Sequence, residues 1–200
     1  MEDSLKIDPN EGDGQPVVDA IVRQKIRILN VLLAHKLTDI TIQRALEHAT
    51  VAGKLWIVRR LIVRGVRSEC IEKAIFWCGV HGKTRIMKFL CDNLFVSSVA
   101  IRNALDQAAK FGNFEVVRFI LRNREGDLNE VIVNAALQNV CYGYHPDHHP
   151  DLPRRLKTVR IFVKHGNVGN HGLERAANVA NKFGHRDLEE FINSIILQNR

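Results

Sequence analysis

Proline is scarce in this chain, with five residues in 200, and three of the five crowd into one stretch, YHPDHHPDLPR, at 144–154. Little elsewhere forbids long helices, because proline is the residue that breaks them. Cysteine is limited to Cys70, Cys78, Cys91 and Cys141, with no CxxC pair. That excludes a disulfide framework and a paired-cysteine zinc site, and it predicts reduced thiols in an intracellular compartment, cytoplasm or nucleus. No run approaches the roughly 18 apolar residues of a membrane span, so no membrane partner is expected. The N-terminus, MEDSLKIDPNEGDGQP, is acidic where a secretory signal is basic and then apolar, so the chain is expected to begin at Met1. Aromatic residues make up only 6% of the chain, too few for the interleaved stacking platform that single-stranded nucleic acid prefers.

What is present suits one soluble domain or one continuous array: 46% of residues are hydrophobic and 26% charged. The net charge is +7, yet the first 16 residues carry five acids and one base, which leaves +11 on residues 17–200. Such a body attracts anionic partners, or simply stays soluble.

The chain repeats. The segments ALEHATVAG (45–53), AIFWCGVHG (74–82), ALDQAAKFG (104–112), AALQNVCYG (135–143) and AANVANKFG (176–184) each run from Ala to a Gly eight residues on. The intervals between the starting alanines are 29, 30, 31 and 41 residues. After each Gly a second apolar stripe follows at four, five and eight residues: Ile57, Val58 and Leu61; Ile86, Met87 and Leu90; Val116, Val117 and Ile120. This spacing predicts a helix with one buried face, so each unit reads as helix, glycine turn, helix. The glycine suits a left-handed helix end. Stepping back 29 residues puts Ile28, Leu29 and Leu32 in the same slots, which begins the array with a degenerate unit at about 16–44. In the unit with the long interval the stripe resumes at Thr158, Val159 and Phe162, so 144–154 reads as an eleven-residue loop inserted into the turn.

The pattern A-L-x-x-A-x-x-x-G-N/H-x-E-V-V-x-x-x-L, clearest in ALDQAAKFGNFEVVRFIL (104–121) and echoed in AANVANKFGHRDLEEFI (176–192), resembles the ankyrin repeat. The units are about 30 residues rather than the usual 33, and none carries the T-P-L-H turn, an Ala standing in place of the Pro. This shorter form is similar to divergent ankyrin repeats of large DNA viruses, protists and intracellular bacteria. The resemblance implies an all-α helix-turn-helix repeat solenoid of about six helix pairs over 16–200; the acidic composition of 1–15 predicts a disordered segment before it. It also implies a non-catalytic protein-interaction module without cofactor, a scaffold or adaptor, with a viral or pathogen host-interaction protein as one form of it that would act inside a host cell. Binding would rest on helix faces, since the family's β-hairpin fingers depend on the missing turn.

Candidate site residues follow from the register. Two residues after each starting Ala stand Glu47, Phe76, Asp106, Leu137 and Asn178, expected on the partner-facing surface. Phe76 is there either an exposed apolar anchor or packed on a neighbour. Trp77 reads as core, and Trp56, in a slot that prefers an exposed Glu, as a second anchor. The inserted loop offers Tyr144, His145 and His148 to a partner. With Cys141, Asp147, His149 and Asp151 it reads either as a recognition loop or as a metal site, and the spacing lacks a strong zinc signature. Arg59, Lys88, Arg118 and Arg160, six residues after each Gly once the insertion is subtracted, would form a basic ladder. The ladder suits nucleic acid as the alternative partner, or is merely solvated. GNVGNHG (166–172) lacks the spacing of a phosphate cradle, and no hydrolase, zincin or kinase motif occurs. Cys78 fills a small-residue packing slot.

Overall fold

The computed structural model describes residues 7–142 and 152–199, and among these every regular element is helical. Twelve α-helices follow one another as six pairs: α1 (Glu11–Val22) and α2 (Ile26–Leu32), α3 (Asp39–Val51) and α4 (Leu55–Ile62), α5 (Ser68–His81) and α6 (Thr84–Asn93), α7 (Ser98–Lys110) and α8 (Phe114–Asn123), α9 (Glu130–Tyr142) and α10 (Leu152–His165), α11 (Asn170–Lys182) and α12 (Arg186–Gln198). The chain divides into two compact units, Met1–Ala74 and Ile75–Arg200, where the sequence suggests one continuous array; the division falls inside α5.

Local chemistry sets the helix boundaries. Thr38 Oγ1 accepts from Thr41 N, Ser97 Oγ from Ala100 N and Asn129 Oδ1 from Ile132 N, capping the starts of α3, α7 and α9. The first helix of a pair ends when a left-handed residue lets the next N–H reach back five residues. Thus Lys54 N donates to Ala49 O, Lys83 N to Cys78 O, Asn113 N to Ala108 O and His185 N to Ala180 O. Gly53, Gly82, Gly112 and Gly184 take the left-handed position, as the repeat predicts. In the first pair Gln24 takes it, at φ 55°, and Lys25 N donates to Ala20 O in the same way.

The A-L-x-x-A slots are the buried face of the first helices. Ala45, Leu46 and Ala49, then Ala104, Leu105 and Ala108, are fully buried. Small residues there let helices approach closely: a Cβ on Gly79 of α5 would stand 2.5 Å from Ala104 O of α7. The second-helix stripes, Ile57, Val58 and Leu61 through Val116, Val117 and Ile120, are buried as expected. Each such side chain contributes about 1.5–3 kcal/mol by leaving water. Cys78 is fully buried, consistent with packing.

In the first unit, α1 packs on α2 and α3, and α3 on α4. Residues 7–15, part of the segment expected to be disordered, are held in place. Asn10 Oδ1 accepts from Thr38 N at 2.8 Å and its Nδ2 donates to Lys36 O at 3.0 Å. Arg44 donates to Gly12 O, Asp13 O and Gln15 Oε1. Side-chain hydrogen bonds from Asn10 and Arg44 hold this largely polar stretch, so its scarcity of apolar residues is no guide to its order. Leu29 and Leu32 are buried, but Ile28 is 46% exposed against expectation. In the next pair the same slot, Ile57, faces Ala20, Ile21 and Leu29 of the pair before it. No described helix pair precedes α1, so Ile28 faces solvent.

In the second unit, α7, α9 and α11 lie side by side in one layer, and α6, α8, α10 and α12 in the other, with α7 on α8, α9 on α10 and α11 on α12. Polar clasps join successive pairs. Asn113 Nδ2 donates to Gly79 O and Val80 O, each at 2.8 Å, closing the end of α5. Asp127 accepts from Ser98 Oγ and Arg124 Nε, both at 2.5 Å, while Arg124 Nη2 reaches Val96 O at 3.1 Å.

The turn between α9 and α10 departs from the expected loop. Residues 152–154 form the start of α10 rather than the end of an insertion, and Pro153 is tolerated there because first-turn N–H groups need no helical partner. Arg155, only 5% exposed, points inward and donates from Nε to Val140 O and from Nη2 to Cys141 O, at 2.9 and 2.8 Å. A guanidinium thereby caps the last carbonyls of α9. The inserted residues 144–151, with Tyr144, His145 and His148, lie outside the described residues.

Two substitutions in equivalent turns test this account by chemical denaturation. Gln24→Gly relieves a left-handed side chain and is expected to stabilise by up to about 1 kcal/mol. Gly82→Ala is expected to destabilise by about 1–3 kcal/mol, because its Cβ would be left-handed and 2.8 Å from Asn113 Oδ1.

Candidate functional site

On α5, α7 and α9 the two residues that follow the buried Ala-Ile or Ala-Leu pair stand at the surface. Phe76, Trp77, Asp106, Gln107, Gln138 and Asn139 are all half-buried, and they form a row on the outer side of α5, α7 and α9. Helical spacing puts them there: the buried slots at zero, one and four leave two and three facing outward. The rings of Phe76 and Trp77 meet edge to face at 5.3 Å, and Trp77 stacks on His81 at 5.5 Å. Phe76 is therefore neither fully exposed nor fully packed, and Trp77 is less buried than a core residue.

Leu137 does not belong to this row; it is fully buried. The unit starts at Ala136, not Ala135, which makes Leu137 the counterpart of Leu105 and moves the outward slot to Gln138. The surface hydrogen bond that results, Asn139 Nδ2 to Asp106 Oδ1 at 3.1 Å, links α9 to α7 and involves residues that the sequence register missed. The signal was available: a Leu directly after Ala marks the start in ALEHA and ALDQA alike.

Asp106 is electrostatically unusual. Burial pushes its carboxyl above the ordinary range, and the Asn139 hydrogen bond offsets this only in part. Among the described residues no cation forms an ion pair with it. Asn178, in the same slot of α11, is exposed.

The remaining expected residues are placed as follows. In the first unit, Glu47 is half-buried, accepts from Gln43 Nε2 at 3.1 Å and lies 3.8 Å from Lys73 Nζ. Trp56 is 38% exposed and lines a small cavity with Ala20, Ile21 and Leu29. Arg59 is exposed. In the second unit, Lys88 is exposed, Arg118 pairs with Glu115 at 2.7 Å, and Arg160 sits over the Phe191 ring at 5.0 Å. Burial raises the thiols of Cys78, Cys91 and Cys141, the last two to about 11 and about 12, so all three stay protonated at neutral pH. Among the described residues no three His, Cys, Asp or Glu side chains converge as a metal site.

No family model matches the chain, and neither a curated protein nor a solved structure matches it.

The raised Asp106 carboxyl fixes the sign of a pH effect. Folding disfavours its ionised form, so the group costs stability at neutral pH and the cost fades as pH falls through its folded value. Asp106→Asn, which keeps an acceptor for Asn139, is expected to melt above the unaltered chain at pH 7 and together with it at pH 3, in parallel thermal scans.

Proposed function

We propose that the chain is a non-catalytic protein-interaction module, an ankyrin-like repeat solenoid that binds a partner protein along the outward row of its first helices. The observation that carries this reading is the Asp106 carboxylate, half-buried and lacking a cation among the described residues. A fold gains nothing by keeping an uncompensated, desolvated charge there, whereas a partner that supplies a cation gains specificity from it. The neighbouring Phe76 and Trp77 add ring surface of the kind that dominates binding hot spots. The six successive helix pairs, the left-handed turn at Gly53, Gly82, Gly112 and Gly184 and the two-layer packing of the second unit support the ankyrin-like reading. The proposal places the protein inside a cell, in cytoplasm or nucleus, and in a host cell if its source is a virus or pathogen.

Affinity capture from nuclease-treated lysate, run in parallel with the intact chain and with the double variant Phe76→Ser, Asp106→Lys, tests the proposal. The expected outcome is a defined protein held by the intact chain and reduced at least about tenfold with the variant, as losing a hot spot of about 1.4 kcal/mol or more implies. Thermal melting of the variant establishes that it is folded. Equal recovery on both, or recovery that vanishes with nuclease, would contradict it.

A further inference from the structure

The layer of second helices carries a different surface. Helix α10 holds Arg154, Arg155, Lys157, Arg160 and Lys164 and not one acid. Arg155 turns inward, while Lys157, Arg160 and Lys164 are exposed, at spacings of three and four that put them on one face. They span about 10 Å of helix. Helix α8, packed alongside, adds Arg118 and Arg122. Burial and then Arg122, Lys164 and Arg118 hold the His165 imidazole below its ordinary range, in keeping with α8 packing against α10. Helix α6, on the other side of α8, adds the exposed Lys88.

Two details distinguish this strip from an ordinary solvated face. Arg118 is paired with Glu115, but among the described residues no carboxylate lies within ion-pair distance of Arg122, Lys157, Arg160 or Lys164. Lys157 Nζ also sits 3.8 Å over the Phe114 ring of α8, and Arg160 sits over Phe191 of α12, so rings hold both cations in place. Both rings are half-buried and each already faces a cation, so neither offers a free stacking platform for bases. Among the described residues of α8 and α10 no large apolar side chain is strongly exposed, so the strip lacks the insertion residues a membrane surface would use.

We propose that the exposed cations of α8 and α10, flanked by Lys88 of α6, form a docking strip for the phosphate backbone of a nucleic acid, bound without base readout. Adjacent packed helices lie about 8–10 Å apart, so the strip offers fixed cations in two dimensions to a regularly charged polymer. The inference does not depend on the protein-partner reading, which concerns the opposite layer.

Fluorescence anisotropy with the full chain tests it, using a labelled 20-nucleotide mixed-sequence single strand and the corresponding duplex. Contacts to about four phosphates predict that affinity falls roughly 50-fold for the single strand and 150-fold for the duplex between 50 and 200 mM salt. The variant Arg122→Glu, Arg160→Glu, Lys164→Glu is expected to bind at least tenfold more weakly at 50 mM salt. The control Arg23→Glu, Arg27→Glu, Lys36→Glu, which changes net charge equally at exposed positions of the first unit, is expected to stay within about threefold of the unaltered chain. The neutral variant Arg122→Gln, Lys164→Gln, expected to weaken binding in the same direction, gives a second reading should the reversed variant fail to melt cooperatively. Absence of binding, equal weakening in strip and control variants, or equal competition by a polyglutamate of matching length would overturn the proposal; the last would assign the strip to an acidic protein.

Discussion

Everything in this chain depends on one packing constraint: a helix pair with a single apolar stripe has nowhere to bury it except against the adjacent pair. The second unit meets the constraint with two layers, in which each first helix touches the next first helix and each second helix the next second helix. Alanine at the contact slots and Gly79 on α5 let backbones approach to van der Waals distance, and the larger Leu, Ile and Val fill the space between layers. The exposure of Ile28 follows from the same constraint, since a slot loses its partner where no described pair precedes it.

With burial settled by neighbours, the outward slots are left to other demands, and the two layers have taken different ones. The first-helix row mixes rings, amides and one desolvated carboxylate. The second-helix strip carries cations with few acids to neutralise them. Arg124, Arg155 and Asn113 show what ordinary structural polar groups look like in the same fold: each is spent on backbone carbonyls of a neighbouring element. Among the described residues Lys157, Arg160 and Lys164 of α10 reach no backbone carbonyl and Asp106 accepts only from Asn139, and this contrast is the physical basis for reading them as binding groups.

The all-helical character and the turn chemistry were legible in the sequence because both are local. An Ala-to-Gly interval of eight residues states where a helix ends, and the stripe after it states which face of the next helix is buried. The Leu137 error was a one-residue slip caused by the doubled alanine of AALQ. Gln24 shows that the backbone demands of the turn outlast the glycine that announces them. What could not be read depends on distant partners. Residues 7–15 are ordered by Arg44 and Thr38, some thirty positions away, and nothing in PRRLK says that its second arginine turns inward to cap another helix. In the same way composition announced the basic body, but only the packing of α8 against α10 sets their cations side by side.

The central claim is that each pair is held by its neighbours alone, and hydrogen exchange of the intact chain carrying Ile192→Ala tests it most directly. Ile192 is fully buried in α12, and its truncation is expected to cost about 2–5 kcal/mol locally. The account predicts faster amide exchange in α12 and in the helices it touches, α10 and α11, with α6, α7 and α8 unchanged. An equal acceleration from α6 through α12 would contradict it, because stability would then belong to the unit as a whole and not to contacts between adjacent pairs.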